Sequence, residues 1–132
     1  GAKLKTVEDL MLTGTKIPFV KENLKMESAL KIISEKKLGL LVIKNKKGFT
    51  SGIIVDGDIK RAIKKNKDMQ KLAIKDVMTK NPLSIEEDTL AVKALALMND
   101  KKITSLCVHN KKNNKKTIGI LHIHNILAAN IR

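Results

Sequence analysis

The sequence is poor in aromatic residues and has a single cysteine. It contains no Trp or Tyr and only two Phe residues, so a packed interior has to be built from Ile, Leu, Val, Ala and Met. The lone Cys107 excludes an internal disulfide and is typical of a reducing compartment. No run of about 18 apolar residues is present, and the N-terminus lacks the charged-then-apolar pattern of a signal peptide. We therefore expect a cytoplasmic protein with no membrane partner.

Arginine is also scarce, although the chain is strongly basic. The formal net charge is +14, but all basic residues except Arg61 and Arg132 are lysines, and they are spread along the chain. A basic chain invites a nucleic-acid interpretation. Reading of base edges favours Arg, and base stacking requires interleaved aromatic residues. We therefore expect no nucleic-acid partner, and we keep a basic nucleic-acid-binding domain as the weaker alternative.

The chain contains an internal duplication centred on two similar stretches. Residues 52–59 read GIIVDGDI, and residues 119–126, which lie 67 positions later, read GILHIHNI. In each, a small residue opens an apolar run that leads through a polar cluster into a helix-period pattern. The start of a helix leaves backbone N–H groups unpaired, which favours binding of phosphate or ribose there. A duplicated junction of this kind predicts two related ligand sites in the inter-repeat cleft, where the helix starts are expected to converge.

The surrounding patterns predict strand–helix–strand–strand–helix, twice. The first long helix has an apolar stripe at Met26, Ala29, Leu30 and Ile33, with Asn23 as its expected cap. The second has the same stripe 65 residues later, with Asp88 as its expected cap, and the last helix is expected to end near Ile131. Ile59, Ala62 and Ile63 are the expected apolar face of the helix after residue 56.

One repeat of about 60 residues would be marginally stable alone. The prediction is therefore an α/β (α+β) fold of two β-α-β-β-α repeats, 1–70 and 71–132, packed sheet to sheet with pseudo-two-fold symmetry. Gly1 and Ala2 resemble residues left by cloning, so we expect a piece of a longer protein.

The repeat resembles a tandem pair of cystathionine-β-synthase (CBS) domains, a regulatory module that commonly binds nucleotides. Six short motifs also stand along the chain: VEDLM (7–11), KLGL (37–40), DGD (56–58), DVMTKNP (76–82), KITSL (102–106) and HIH (122–124). More narrowly, these motifs resemble the C-terminal half of arabinose-5-phosphate isomerases, which supply the pathway to the lipopolysaccharide sugar acid Kdo.

The resemblance implies a regulatory fragment and not an enzyme, because the family's sugar-isomerase domain precedes the CBS pair. That domain would be a partner in cis, and family behaviour implies a homodimer or higher oligomer. In CBS modules the third residue after the strand glycine is often Thr or Ser, and the sixth is often Asp. Here the first copy has Val55 and Asp58, and the second has His122 and Asn125. Because neither copy fits the adenine-nucleotide pattern, we expect CMP-Kdo, the activated product of the pathway, as the ligand, with AMP or ATP second.

The candidate ligand-binding residues lie at the two junctions and at the strands expected beside them. They are Gly57, Asp58, Lys80, Asn81, Pro82, Thr104, Ser105, Leu106, His122, His124 and Asn125. Each interpretation has a structural alternative. Asp58 can be an ordinary helix cap. Thr104 and Ser105 can satisfy backbone groups at a strand end, and Lys80 and Asn81 can form a solvated turn.

A zinc site at Cys107, His109, His122 and His124 is a further possibility, because these are zinc-ligand types. Their i, i+2 spacing is not the usual one, and a thiol in an apolar strand is commonly buried. We favour a histidine hydrogen-bonded to an anionic ligand, and we expect no metal and no required cofactor. No Ser–His–Asp set, carboxylate pair or Gly-rich phosphate loop can be assembled, so we expect no catalytic residues. The alternative to ligand sensing is a ligand-free structural or oligomerisation module.

Overall fold

The computed structural model of the chain describes residues 4–65 and 68–131. They form two compact units, one holding residues 18–65 and 68–82 and the other holding residues 4–17 and 83–131. We call them the first-repeat unit and the second-repeat unit, after the repeat that supplies most of each.

The predicted order of elements is confirmed in both repeats. The helices of the described residues are α1 (Val7–Leu10), α2 (Met26–Lys36), α3 (Asp56–Lys64), α4 (Ile74–Val77), α5 (Ala91–Lys101) and α6 (Ile123–Ala128). The strands there are β1 (Phe19–Lys21), β2 (Leu40–Lys44), β3 (Thr50–Val55), β4 (Thr79–Lys80), β5 (Ser84–Glu86), β6 (Ser105–His109) and β7 (Gly119–His122). A 3-10 turn covers Gly14–Lys16. The repeated pattern is thus β1-α2-β2-β3-α3 and β5-α5-β6-β7-α6.

Each unit has its own mixed sheet. In the first-repeat unit β1 is parallel to β2, and β2, β3 and β4 follow antiparallel in that order. In the second-repeat unit β5 is parallel to β6, and β6 is antiparallel to β7. The parallel pairs share one register, since Lys21 lies opposite Lys44 and Glu86 lies opposite His109. Both repeats therefore place equivalent residues at equivalent ends of their sheets.

The segment that opens each repeat pairs with the sheet of the other repeat. Leu12 bridges Ile120 in the second-repeat unit, and 67 residues later Thr79 pairs with Ile53 in the first-repeat unit. Residues 4–17, which belong to the predicted repeat 1–70, therefore pack with the second repeat's sheet. The compact units are thus divided differently from the repeats of the sequence, whose boundary near residue 70 stays a prediction.

These pairings explain the small residue that opens each duplicated stretch. A Cβ atom on Gly52 would lie 2.6 Å from the carbonyl oxygen of Thr79, well inside van der Waals contact. On Gly119 it would collide with the side chain of Met11 and lie 3.2 Å from the carbonyl oxygen of Leu12. A glycine at both positions lets the opening segment of the other repeat approach the strand backbone.

The core of each unit is aliphatic, as the composition requires. In the first-repeat unit it includes the fully buried Met26, Leu41, Ile43 and Ile54, and the α2 stripe is buried at Ala29 and Ile33. In the second-repeat unit its counterpart holds the four buried α5 residues Ala91, Ala94, Leu95 and Met98. Apolar burial of this kind is the main stabilising contribution to each unit. None of the helices in the described ranges is both long and apolar enough to span a membrane.

Four local predictions were wrong. Helices α2 and α5 begin after Lys25 and Leu90, not at caps on Asn23 and Asp88. The reason is tertiary, because Lys25 and Leu90 are bridged by the opening segment of the other repeat. The last helix ends at Ala128, where Asn130 takes a left-handed conformation with φ of 61°. Ile63 is 56% exposed and does not lie on the buried face of α3.

Candidate functional site

The first strand-to-helix junction is organised by the carboxylate of Asp58, which is only 5% exposed. Its Oδ2 accepts a hydrogen bond from the backbone N–H of Val55 at 2.8 Å, which closes the start of α3. Its Oδ1 accepts from Nη2 of Arg61 at 2.6 Å and from the hydroxyl of Thr79 at 2.8 Å. Three donors thus converge on one buried carboxylate, as buried charge requires. The geometry gives Asp58 the helix-capping role, and contact of Asp58 with a ligand stays a prediction.

Arg61 and Thr79 are partners that the sequence interpretation missed. Arg61 is the third residue after Asp58 and one of two arginines, so i, i+3 spacing on a helix could have indicated the pair. Gly57 makes room for it, because a Cβ there would lie 3.3 Å from Nη1 of Arg61. Thr79 comes from β4, so no local pattern relates it to Asp58. It brings a hydroxyl to the junction, where the strand itself ends in Val55.

The predicted residues Lys80, Asn81 and Pro82 continue from Thr79 along the same segment. Lys80 is exposed and pairs with Gly52 on β3. Asn81 is exposed with a left-handed φ of 50°, and Pro82 is half-buried. The structure therefore places this segment beside the first junction, with the lysine side chain open to solvent.

A cavity of about 390 Å³ lies next to this junction, between α3 and α4. Asp58, Arg61 and Lys65 line it from the α3 side, and Asp76 and Val77 line it from α4. Its volume falls within the range of small-molecule sites, which is roughly 300–1,000 Å³. The side chains around it carry both signs of charge, which suits a polar ligand.

The second junction has the same kind of helix cap, but an amide takes the place of the carboxylate. The Oδ1 of Asn125 accepts from the backbone N–H of His122 at 3.0 Å, in the same way that Asp58 caps Val55. Ala128 and Leu12 stand where Arg61 and Thr79 stand in the first copy. The amide of Asn125 therefore lacks the charged and hydroxyl partners that hold Asp58.

Two imidazole rings form a stacked pair at the second junction. The ring centroids of His122 and His124 lie 4.7 Å apart with 14° between their planes. The backbone N–H of His124 donates to Nδ1 of His122 at 3.1 Å, so His122 carries its proton on Nε2 in this arrangement. Burial and the neighbouring His124 lower the pKa of His122 below its usual value, which favours the neutral ring. His124 is exposed, so the pair offers a flat and partly open surface.

The candidate residues Thr104, Ser105 and Leu106 lie at and just before the start of β6, next to the second junction. Ser105 is opposite His122 in the β6–β7 register, and the carbonyl oxygen of Thr104 accepts from the N–H of Ile123 at 2.8 Å. Leu106 is only 1% exposed and belongs to the core, so its side chain is not available to a ligand. The structure thus places Thr104 and Ser105 next to His122 and Ile123 at the second junction.

The residues considered for zinc do not converge. Burial raises the pKa of the Cys107 thiol to about 11, and Nδ1 of His109 lies 2.6 Å from the hydroxyl of Ser84. His122 and His124 face each other instead. Among residues 4–65 and 68–131, no three His, Cys, Asp or Glu side chains are grouped to hold a metal ion.

Comparison with known proteins identifies the family to which the sequence belongs. The sequence model of the CBS domain matches residues 7–65 and 74–132. Arabinose 5-phosphate isomerase KdsD of Escherichia coli K12 is 37% identical over 125 residues, which make up 95% of this chain and 37% of the isomerase. The same enzyme of Yersinia pestis is 36% identical over 125 residues, again 95% of this chain and 37% of the relative. The chain therefore spans well under half the length of these curated relatives.

Two solved structures that share the fold were determined in complex with adenosine-containing ligands. The crystal structure of CBSX2 in complex with AMP is 26% identical, has a TM-score of 0.82 and covers 95% of both chains. The CBS domain pair of protein MJ0100, in complex with 5′-methylthioadenosine and S-adenosyl-L-methionine, is 25% identical with a TM-score of 0.78. That match covers 94% of this chain and 98% of that one. The likeness confirms the predicted α+β fold of two repeats.

Proposed function

The chain belongs to the CBS domain family, of which it carries two successive copies, and from this we propose that it is a regulatory module that binds a nucleotide or a nucleotide sugar. The chain is a CBS pair and not a catalytic domain. The proposed mechanism is allosteric, with the ligand favouring one packing of the pair and so altering an attached enzyme.

We assign the chain to an arabinose 5-phosphate isomerase, with the sugar-isomerase domain attached in cis. The support is its similarity to KdsD along almost its whole length. A regulatory module on such an enzyme is expected to bind the end product of its pathway, as in feedback regulation. CMP-Kdo is therefore the first candidate ligand, and self-association of the pair into a dimer or higher oligomer belongs to the same proposal.

The stacked histidines at the second junction are the observation that carries the ligand proposal. Aromatic faces bind nucleobases by stacking, and neutral imidazoles donate hydrogen bonds to anions. Ser105 lies opposite His122, so a hydroxyl stands within the same site as the ring. In the first copy the equivalent carboxylate is already held by three donors. We therefore place the ligand against His122, His124 and Ser105, with Thr104 and Asn125 beside them.

A second candidate, an adenine nucleotide, is favoured by the ligands of the related structures. CBSX2 was crystallised with AMP, and the MJ0100 pair with two adenosine derivatives. Both candidates use base stacking and an anionic group. They differ in the base and in the sugar acid, so a direct comparison of ligands separates them.

A thermal-shift titration with CMP-Kdo, CMP, AMP, ADP and ATP tests the proposal. A ligand at 100 times its dissociation constant adds about 2.7 kcal/mol to the stability of the folded state. A shift with CMP-Kdo that His122→Ala abolishes, and that the exposed control Lys31→Ala keeps, supports the pathway sensor. A shift with adenine nucleotides alone would mean that the module senses the energy state of the cell and does not bind CMP-Kdo. No shift with any of the five ligands contradicts sensing and supports a structural module.

A further inference from the structure

A basic groove of about 690 Å³ lies in the first-repeat unit, away from the first strand-to-helix junction at Asp58. Four lysines line it, Lys21, Lys44, Lys46 and Lys75, together with a single acidic residue, Glu22. In this part of the unit β2 leads from Leu40, opposite Val55, to Lys44, opposite Thr50. The two ends of β2 are about 13 Å apart at the rise of an extended strand. The groove is therefore at the far end of the sheet from Asp58 and the start of α3.

Two contacts hold charged side chains of the groove in place. The ammonium group of Lys44 lies 3.7 Å from the centroid of the Phe19 ring, a cation–π contact that restricts the side chain. The carboxylate of Glu22 accepts a hydrogen bond from the hydroxyl of Ser51 at 2.7 Å, which anchors it to β3. The groove therefore has a clear excess of positive charge, with one of its lysines fixed against a ring.

The excess is specific to this repeat and is not a property of the fold. The strand registers make Lys21 equivalent to Glu86 and Lys44 equivalent to His109. The isolated bridges Lys25–Ala73 and Thr6–Leu90 are likewise equivalent, which relates Lys75 to Glu8.

Two of the three lysines compared thus become glutamates in the other repeat, and the third becomes a histidine bonded to Ser84. A uniform lysine-rich surface would not reverse sign at equivalent positions.

We propose that this groove binds a small phosphorylated anion carrying at least two negative charges. Four lysines lining one groove supply positive charge suited to phosphate, which a lysine ammonium group binds as a point charge. A volume of about 690 Å³ can hold a metabolite of the size of a sugar phosphate, and small-molecule sites range over roughly 300–1,000 Å³. The site is separate from the nucleotide site proposed above, so either can exist without the other.

The test uses inorganic pyrophosphate as the probe and ¹⁵N-labelled protein in 150 mM NaCl, where charges further apart than about 8 Å are screened. Saturable amide shifts are expected at residues 21–23, 44–48 and 75. Lys44→Gln/Lys75→Gln should weaken the binding at least tenfold. Lys21→Gln/Lys46→Gln should do the same without altering the contact with Phe19. The control Lys31→Gln/Lys93→Gln, which removes the same charge from exposed positions on α2 and α5, should change it less than twofold.

Three outcomes would overturn the proposal. Equal weakening in the groove and control variants would mean general attraction to a basic chain. Shifts confined to residues 104–105 and 122–125 would assign the phosphate to the nucleotide site, and shifts confined to residues 55–58 would assign it to the first junction. Absence of saturable shifts up to millimolar pyrophosphate would mean that the groove does not bind phosphate.

Discussion

The carboxylate of Asp58 is the most connected buried polar group at the first junction, and its removal has a calculable consequence. Asp58→Ala leaves the Val55 N–H and the Thr79 hydroxyl without their acceptor. Val55 is half-buried and Thr79 is exposed, so the loss is that of the hydrogen bonds themselves, and a hydrogen bond to a charged group contributes about 1.5–3 kcal/mol. The side chain of Arg61 is 64% exposed, so its ion pair adds little after solvent screening. We expect the substitution to lower the free energy of unfolding by about 3 kcal/mol.

Asn125→Ala is the matched control, because Asn125 caps the second junction with one hydrogen bond from His122. Loss of a neutral cap of this kind costs about 1 kcal/mol. Urea denaturation followed by far-UV circular dichroism gives both values, since the chain has no Trp or Tyr for a fluorescence signal. In a double-mutant cycle, Thr79→Val should have much less effect in the Asp58→Ala background than in the parent chain.

Equal losses for Asp58→Ala and Asn125→Ala would refute this reasoning. A loss of less than about 1 kcal/mol for Asp58→Ala would also refute it, because a single helix cap alone contributes that much. Additive effects of Asp58→Ala and Thr79→Val would mean that the two side chains do not interact in solution. In each case the three-donor network at the first junction would have to be abandoned.

Packing and protonation give three further predictions. Gly119→Ala should destabilise the fold by about 1–3 kcal/mol through overpacking, and Met11→Ala should recover most of that loss in a double-mutant cycle; no recovery would rule out the contact. Because burial raises the pKa of Cys107 to about 11, the native thiol should react with DTNB far more slowly than the urea-unfolded one; equal rates would show an exposed thiol. His122 has a lowered pKa, so the unfolded chain takes up its proton first, and stability should fall as pH decreases below about 6.5. His122→Asn should flatten the urea-denaturation profile over that range, and an unchanged slope would contradict the assignment.

The duplication was the part of the fold that the sequence predicted well. Two apolar strands, two striped helices and the glycine-led junctions recur at nearly fixed offsets, and both copies take the predicted order of elements. Periodicity of this kind is local and is therefore readable from one chain. Ser105 and His122 were named separately as candidates near the second junction, and the structure pairs them across adjacent strands.

The errors arose where contacts from a distant part of the chain decide the local structure. Asn23 and Asp88 are good caps by residue type, yet α2 and α5 begin at positions bridged by another segment. The same exchange of opening segments brings Thr79 to Asp58 from 21 residues away. Ile63 fits a helical period but faces solvent at 56% exposure. Pattern alone does not show which face a partner covers.

The most direct test of the regulatory role is isothermal titration calorimetry of the chain with CMP-Kdo, with AMP as the comparison ligand. We predict saturable binding of CMP-Kdo that is weakened at least tenfold by His122→Ala and left unchanged by Lys31→Ala. Saturable binding of AMP alone would retain a nucleotide sensor and exclude the nucleotide sugar. No saturable heat with CMP-Kdo, AMP or the other nucleotides would contradict ligand sensing by this CBS pair.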